Sequence, residues 1–293
     1  MSTSLRLYGD ETVKFTYEGE RYCVHVHNDE CPEDPRNWDT PISTMACFHR
    51  RYRLGDDIKT SDPEEFWRDL VSEHMMAVDL VDAVRNDEVD GIRIDSIKDN
   101  PERVNLMTRW SFRGDERWGC DVIDNDPYDL SSEILSNLTI YNCQQLLEPY
   151  LEWLPLWLYD HSGITMSCGA RTYPYNDAWD SGCVGWIIMT KETALKERIG
   201  YCDESNWREK AIAYMESEVA LYDQYLTGDV YGYTLLKEED GEWVEQDSCW
   251  GFYGDDVMAN GISDHVPGLA AAVESNQYET GKAERHVSVS YSF

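Results

Sequence analysis

Six residues define one element of this chain more tightly than anything else in it. Trp207, Ala211, Met215, Val219, Tyr222 and Leu226 follow one another at spacings of four, four, four, three and four. That is one continuous apolar stripe on an α-helix, and Gly228 stands where such a helix would stop. Around it, residues 154–254 alternate short apolar runs with turn signals. LPLWLYD and ITMSC flank His161-Ser162-Gly163, Trp179-Asp180-Ser181-Gly182 leads into VGWIIMT, and Thr190 can cap a short helix that ends at Gly200. VYGYTLLKE and EWVEQDSCWGFY, joined at Glu239-Asp240-Gly241, complete a β–β–β–α–α–β–β order. The expected fold class is α+β, with a mostly antiparallel sheet and packed helices in the C-terminal half and a mixed acidic N-terminal region.

The flanking segments are read the same way. Residues 3–27 alternate as a hairpin turning near Tyr17–Glu20, residues 28–41 form a Pro- and acid-rich loop, and 42–54 read as a returning strand. Asp62-Pro63-Glu64-Glu65 is a strong helix start, predicting one helix to about Arg85 with Phe66, Leu70, His74, Val78, Val81 and Val84 inward. Residues 91–97 alternate as a strand, 110–129 read as a long polar loop with Trp110 and Trp118, and a second helix is expected over 131–150. A short helix and a polar tail close the chain. The implied division is 1–150, an α+β arm, and 151–293, an α+β core.

Composition narrows the partners. The chain carries 57 acidic and 25 basic residues, a formal net charge of −32. Residues 61–160 hold 23 acids against 8 bases, and residues 161–293 hold 23 against 9. Such a potential repels nucleic acid and favours basic surfaces. The basic run Arg50, Arg51 and Arg53 is expected to pair with local acids. The chain start lacks the order of a signal peptide, and no run approaches the roughly 18 apolar residues of a membrane span, so a cytoplasmic protein is expected. Nine irregularly spaced cysteines do not form a disulfide framework, and Cys47, Cys120, Cys143, Cys168 and Cys202 read as small core residues.

Three groups of residues suggest chemistry. Cys23, His25 and His27 alternate on one strand face with Cys31 four residues on, a set of zinc-type ligands in no standard zinc spacing, and CVHVH is equally the pattern of a half-exposed strand. Asp160-His161 with Cys183 or Cys249 would suit a cysteine-dependent hydrolase, although the order matches no known nucleophile motif, and a hydrogen-bonded turn is the simpler reading. Asp121, Asp124, Asp126 and Asp129 could gather calcium but lack the glycine and terminal glutamate of an EF-hand, so a solvated acidic loop is expected. The aromatics Trp179, Trp186, Trp207, Tyr214, Tyr222, Tyr225, Tyr231, Trp250, Phe252 and Tyr253 are expected mostly in the core, with some available to anchor an interface. No phosphate loop or HExxH motif occurs.

The motifs YDHSG, WDSGCVGWI, EVALYDQYLTGDVYGY and DSCWGFYG, within residues 154–254, resemble a family from phages and mobile elements, the Gabija anti-defence proteins. The resemblance implies a non-enzymatic inhibitor without a cofactor, acting in the host bacterial cytoplasm. It would bind the Gabija complex, whose nuclease subunit has ATPase and Toprim-like parts, as several copies around the target. On this reading residues 151–293 self-associate and residues 1–150 grip the target, with Asp121, Asp124, Asp126, Asp129, Trp110 and Trp118 as interface candidates. The alternatives from composition are a general acidic DNA mimic and the hydrolase above.

Overall fold

In the computed structural model, which describes residues 4–169 and 179–283, the chain opens with the expected hairpin. Strands β1 (Glu11–Tyr17) and β2 (Glu20–Asn28) pair antiparallel across Glu18-Gly19, whose φ values of 51° and 83° suit a tight turn matched to strand twist. Val13, Phe15, Val24 and Val26 are buried on one side of the pair. Strand β3 (Thr44–Cys47) is shorter than expected because the chain folds straight back on it. The Asp56 N–H donates to Met45 O at 2.9 Å, and the Asp56 carboxylate accepts from the Met45 N–H at 2.8 Å.

The helix expected over 62–85 is two helices, α1 (Pro63–His74) and α2 (Ala77–Arg85). Asp62 caps α1 by accepting from the Glu64 N–H at 2.9 Å, but Met75 and Met76 are extended and break the run. The break re-aims the second half. Leu80, Val81, Ala83 and Val84 are buried, whereas Val78 of the expected stripe is 52% exposed.

Strands β4 (Ile92–Ser96), β5 (Arg103–Phe112) and β6 (Asp115–Asp124) form a three-stranded antiparallel sheet in that order. The polar loop expected over 110–129 is therefore corrected. Its first part is a hairpin turned by Arg113-Gly114, with φ of 50° and 89°. Its composition reads as loop because β6 is an edge strand, and edges carry charge where inner strands carry apolar residues. Its last part opens α3 (Pro127–Asn137), which a second Asp-Pro pair starts. The helix expected over 131–150 divides as well. Leu138 is buried and extended, and Thr139 restarts α4 (Ile140–Leu147) through a capping box with Asn142.

The central block follows its expected order: β7 (Leu151–Asp160), β8 (Ile164–Ser167), β9 (Ser181–Thr190), α5 (Lys191–Lys196), α6 (Trp207–Thr227), β10 (Val230–Glu239) and β11 (Glu242–Tyr253). Trp207, Ala211, Met215, Val219 and Tyr222 of the α6 stripe are all buried. The short helices α7 (Ile262–His265) and α8 (Leu269–Glu274) precede β12 (Tyr278–Lys282). The expected polar tail beyond residue 283 lies outside the described residues.

These elements make an α+β fold with antiparallel pairing. One sheet has the order β11-β10-β2-β1-β12, another β3-β9-β7-β8. The chain forms two compact units that do not follow the expected division at residue 150. One comprises the described residues up to Pro41, those of Trp157–Cys183, and those from Glu216 on; the other comprises Ile42–Leu156 and Val184–Met215. The reason is hydrogen bonding: the N-terminal hairpin lies between the β10–β11 hairpin and β12, where β2 pairs with β10 and β1 with β12. The core of the first unit joins Val13, Val24 and Val26 to Tyr233, Leu235, Phe252, Ile262 and Leu269. In the second, helices α1 to α4 share one apolar core with the small sheet, the mixed N-terminal region that was expected. There Trp67 is fully buried and meets Trp153 and Trp186 edge-on at 5.9 and 5.5 Å. Among the described residues no helix is long and apolar enough to cross a membrane.

Candidate functional site

Two places bring chemically informative residues together: the β5–β6 hairpin and a cleft beside β2. On the small sheet, alternation buries Ile92, Val104 and Leu106 on one face. The other face carries Arg93, Asp95, Arg103, Met107, Arg109, Trp118, Cys120, Val122 and Asp124. There the Arg93 guanidinium lies 4.9 Å from the centre of the Trp118 ring and 3.3 Å from Asp95, while Arg109 pairs with Asp90. Trp118 keeps 44% of its surface exposed and Val122 keeps 48%. Near the hairpin turn Trp110 is 46% exposed, with Arg117 directly across the ladder and 5.7 Å from its ring. Each tryptophan thus has a cation on its ring and a face to solvent. Cys120 lies exposed on the outer sheet face rather than in the core.

The four aspartates of the expected acidic loop are separated into different tasks. Asp124 pairs with Arg103 at 2.8 Å, and Asp121 is exposed on β6. Asp126 caps α3, accepting from the N–H groups of Tyr128 at 2.9 Å and Asp129 at 3.4 Å. Asp129 sits in the first turn of α3, where a negative charge complements the helix dipole. They do not gather into a calcium site: among the described residues the group of potential ligands close enough to share an ion is Asp10, His25 and His27.

His25 and His27 do share the outer face of β2, as their alternation predicts, and Cys23 shares it too. Cys23 is nevertheless buried, its thiol pushed up by desolvation against the opposing charge of Lys14, and it stands outside the ligand group. Asp10, which sequence reasoning passed over, takes its place. Cys31 lines the adjoining cleft with Gly9, Asp10, His27, Asn28, Asp29, Glu30 and Trp250, a space of about 550 Å³. The two imidazole centres are 3.8 Å apart. Desolvation holds both histidines below their ordinary pKa; the neighbouring His27 adds to the drop at His25, and Asp10 opposes it at both. Both rings therefore favour the neutral form more than a free imidazole does.

The hydrolase candidates fall on separate elements, His161 just after β7, Cys183 on β9 and Cys249 on β11. His161 Nδ1 and Asp180 Oδ2 are 2.9 Å apart, and the His161 side chain is exposed. Cys183 is exposed on β9, whereas Cys249 lies on β11 opposite Tyr233, in a different sheet. Burial pushes the thiols of Cys143 and Cys168 up to about 12, Glu216 adding to the effect at Cys168, so both stay protonated. Of the aromatics expected in the core, Trp179 and Trp250 are 95% and 52% exposed. Arg50, Arg51 and Arg53 stay at the surface or near it, and Arg53 pairs with Asp57 at 2.7 Å as expected of that run. No protein-family model, curated protein or solved structure matches this chain.

Proposed function

We propose that this chain is a phage anti-defence protein that binds the bacterial Gabija complex in the host cytoplasm and blocks its access to DNA, or its cleavage of DNA, by protein–protein occlusion. The observation that carries the reading is the β5–β6 hairpin. On its outer face it presents Trp118, partly exposed and backed by Arg93, beside the half-exposed Val122, while Trp110 with Arg117 lies on the opposite face near the turn, in a chain of net charge −32. Tryptophan and arginine are the residue types on which binding energy concentrates, and they do so best in a patch that a partner can desolvate. The surrounding acids steer that patch toward a basic surface and away from nucleic acid. A DNA-processing enzyme offers such a surface, and the motif resemblance names which one.

The test mixes the purified chain with purified Gabija complex, reading mass by light scattering and DNA cleavage in parallel. A larger complex with cleavage lost supports the reading; no complex and undiminished cleavage overturns it. Trp118→Ala is expected to weaken association by about 2 kcal/mol, roughly 30-fold, if the ring is a binding anchor. Raising salt should slow association because the steering is screened. The same net charge favours one second reading, a general acidic mimic of DNA, which would inhibit unrelated DNA-binding enzymes equally well.

A further inference from the structure

We infer that Asp10, His25 and His27 form a binding site for a first-row divalent metal ion of the zinc class, open on one side to the cleft lined by Asp29, Glu30 and Cys31. The inference is independent of the anti-defence reading. Its basis is geometric. One potential ligand atom from each of the three side chains lies within 4.8 Å of the other two. An ion centred among atoms so spaced stands at most about 2.8 Å from each, against the roughly 2.0–2.2 Å of zinc–imidazole and zinc–carboxylate bonds. Side-chain rotations of less than about an ångström therefore close the site around an ion.

The protein builds this arrangement from its backbone. His25 and His27 are two apart on β2, which aims both rings to the same side. Asp10 enters from the start of the opposing strand at φ 66°, a conformation that aspartate tolerates better than most residues. It is held there by two backbone bonds, its N–H donating to Val26 O at 2.9 Å and its carbonyl accepting from the Ala283 N–H at 2.8 Å. The ring of His27 is oriented by Thr234 Oγ1 at 3.1 Å and flanked by Trp250, whose ring centre is 5.6 Å away. Such outer contacts are what a ligating histidine requires to keep its orientation.

One atom demands an explanation that the protein alone does not supply. His25 Nε2 is shielded from solvent and has no hydrogen-bond partner, and the Asp10 carboxylate stands 3.9 Å from it, beyond hydrogen-bond reach. An unpartnered buried nitrogen costs about 1–3 kcal/mol, and coordination to an ion repays it. Two imidazoles and one carboxylate suit zinc, cobalt, nickel or ferrous iron rather than calcium or magnesium, which prefer oxygen ligands. Three protein ligands leave at least one position for water or for a group entering from the cleft.

The experiment uses the untagged full chain, stripped with chelator and titrated with cobalt(II) in excess magnesium, which suppresses loose binding to surface carboxylates. We expect one cobalt per chain, read from its visible absorption, displaced by zinc. His25→Asn and His27→Asn should each weaken binding by more than about a hundredfold, and Asp10→Asn by at least about tenfold. Absence of a bound ion in the wild-type chain overturns the inference, as does unchanged affinity in the double histidine variant. Should the histidine variants misfold by circular dichroism, Asp10→Asn decides alone, since the Asp10 side chain is 88% exposed and its loss leaves the fold intact. Unchanged cobalt affinity in that variant then refutes the site.

Discussion

At the scale of single residues, one ion pair is hidden from solvent. Arg36 Nη1 and Glu218 Oε2 are 2.7 Å apart, with side chains only 4% and 9% exposed. Removing one partner takes a charge-assisted hydrogen bond from a group held away from water. Arg36→Ala is expected to lose about 3–5 kcal/mol in urea unfolding, and replacing both by Met and Leu to cost much less. Asp256 gives the pH dependence. Burial acts to raise its carboxyl, but hydrogen bonds from Ser4 Oγ at 2.6 Å and from the N–H groups of Met258 and Leu5, both at 3.1 Å, with the charge of Arg6, hold it below the usual range. The folded state then binds the proton less readily than the unfolded chain. The stabilisation is complete above the unfolded pKa of about 3.9 and fades as pH falls through the lower folded value. Asp256→Asn should lower the melting temperature at pH 7, and the gap from wild type should narrow in acid. A gap that is constant down to pH 2 would show that the charge is immaterial.

At the scale of elements, the β10–β11 pair depends on a missing side chain. Gly232 sits opposite Trp250, and a Cβ there would come within 2.2 Å of the indole ring. Gly232→Ala must displace Trp250 from the wall of the cleft. The expected cost is about 1–3 kcal/mol, visible in thermal melts and in tryptophan fluorescence, and it should largely vanish in a Trp250→Ala background. Elements were readable where local chemistry alone decides them: the α6 stripe, the Asp62-Pro63 start and the turn at Glu18-Gly19. They were misread where tertiary context decides. The Met75-Met76 break follows from which neighbours each half packs against, and no residue there is a helix breaker. Strand β6 reads as loop because its residues face solvent. The metal-type cluster was half visible, for the same reason. His25 and His27 are neighbours on one strand, but Asp10 joins them only through hairpin register. Counting back from the Glu18-Gly19 turn, where Thr12 pairs with His25, places residue 10 opposite His27, so the signal was present once the turn was trusted.

At the scale of the whole molecule, pairing between distant strands decides what can fold alone. β2 is sandwiched between β1 and β10, and β1 between β2 and β12, so about 200 residues separate ladder partners such as Tyr233 and Val26. A fragment of residues 151–293 contains β10, β11 and β12 but none of the strands that join them. Its Tyr233 and Leu235 would lose Val24 and Val26, and β10 would expose an unpaired edge beside an apolar face. We expect this fragment to aggregate or to melt without cooperativity, although it carries all the motifs YDHSG, WDSGCVGWI, EVALYDQYLTGDVYGY and DSCWGFYG. Adding residues 1–41 as a separate chain should restore a cooperative transition in the first unit, because those residues supply the two strands missing from its sheet and the Arg36 partner of Glu218. Cooperative melting of 151–293 alone would mean that the C-terminal strands can rearrange to cover their own edges. The motif-bearing half would then be a domain in its own right, and the N-terminal hairpin an addition to it.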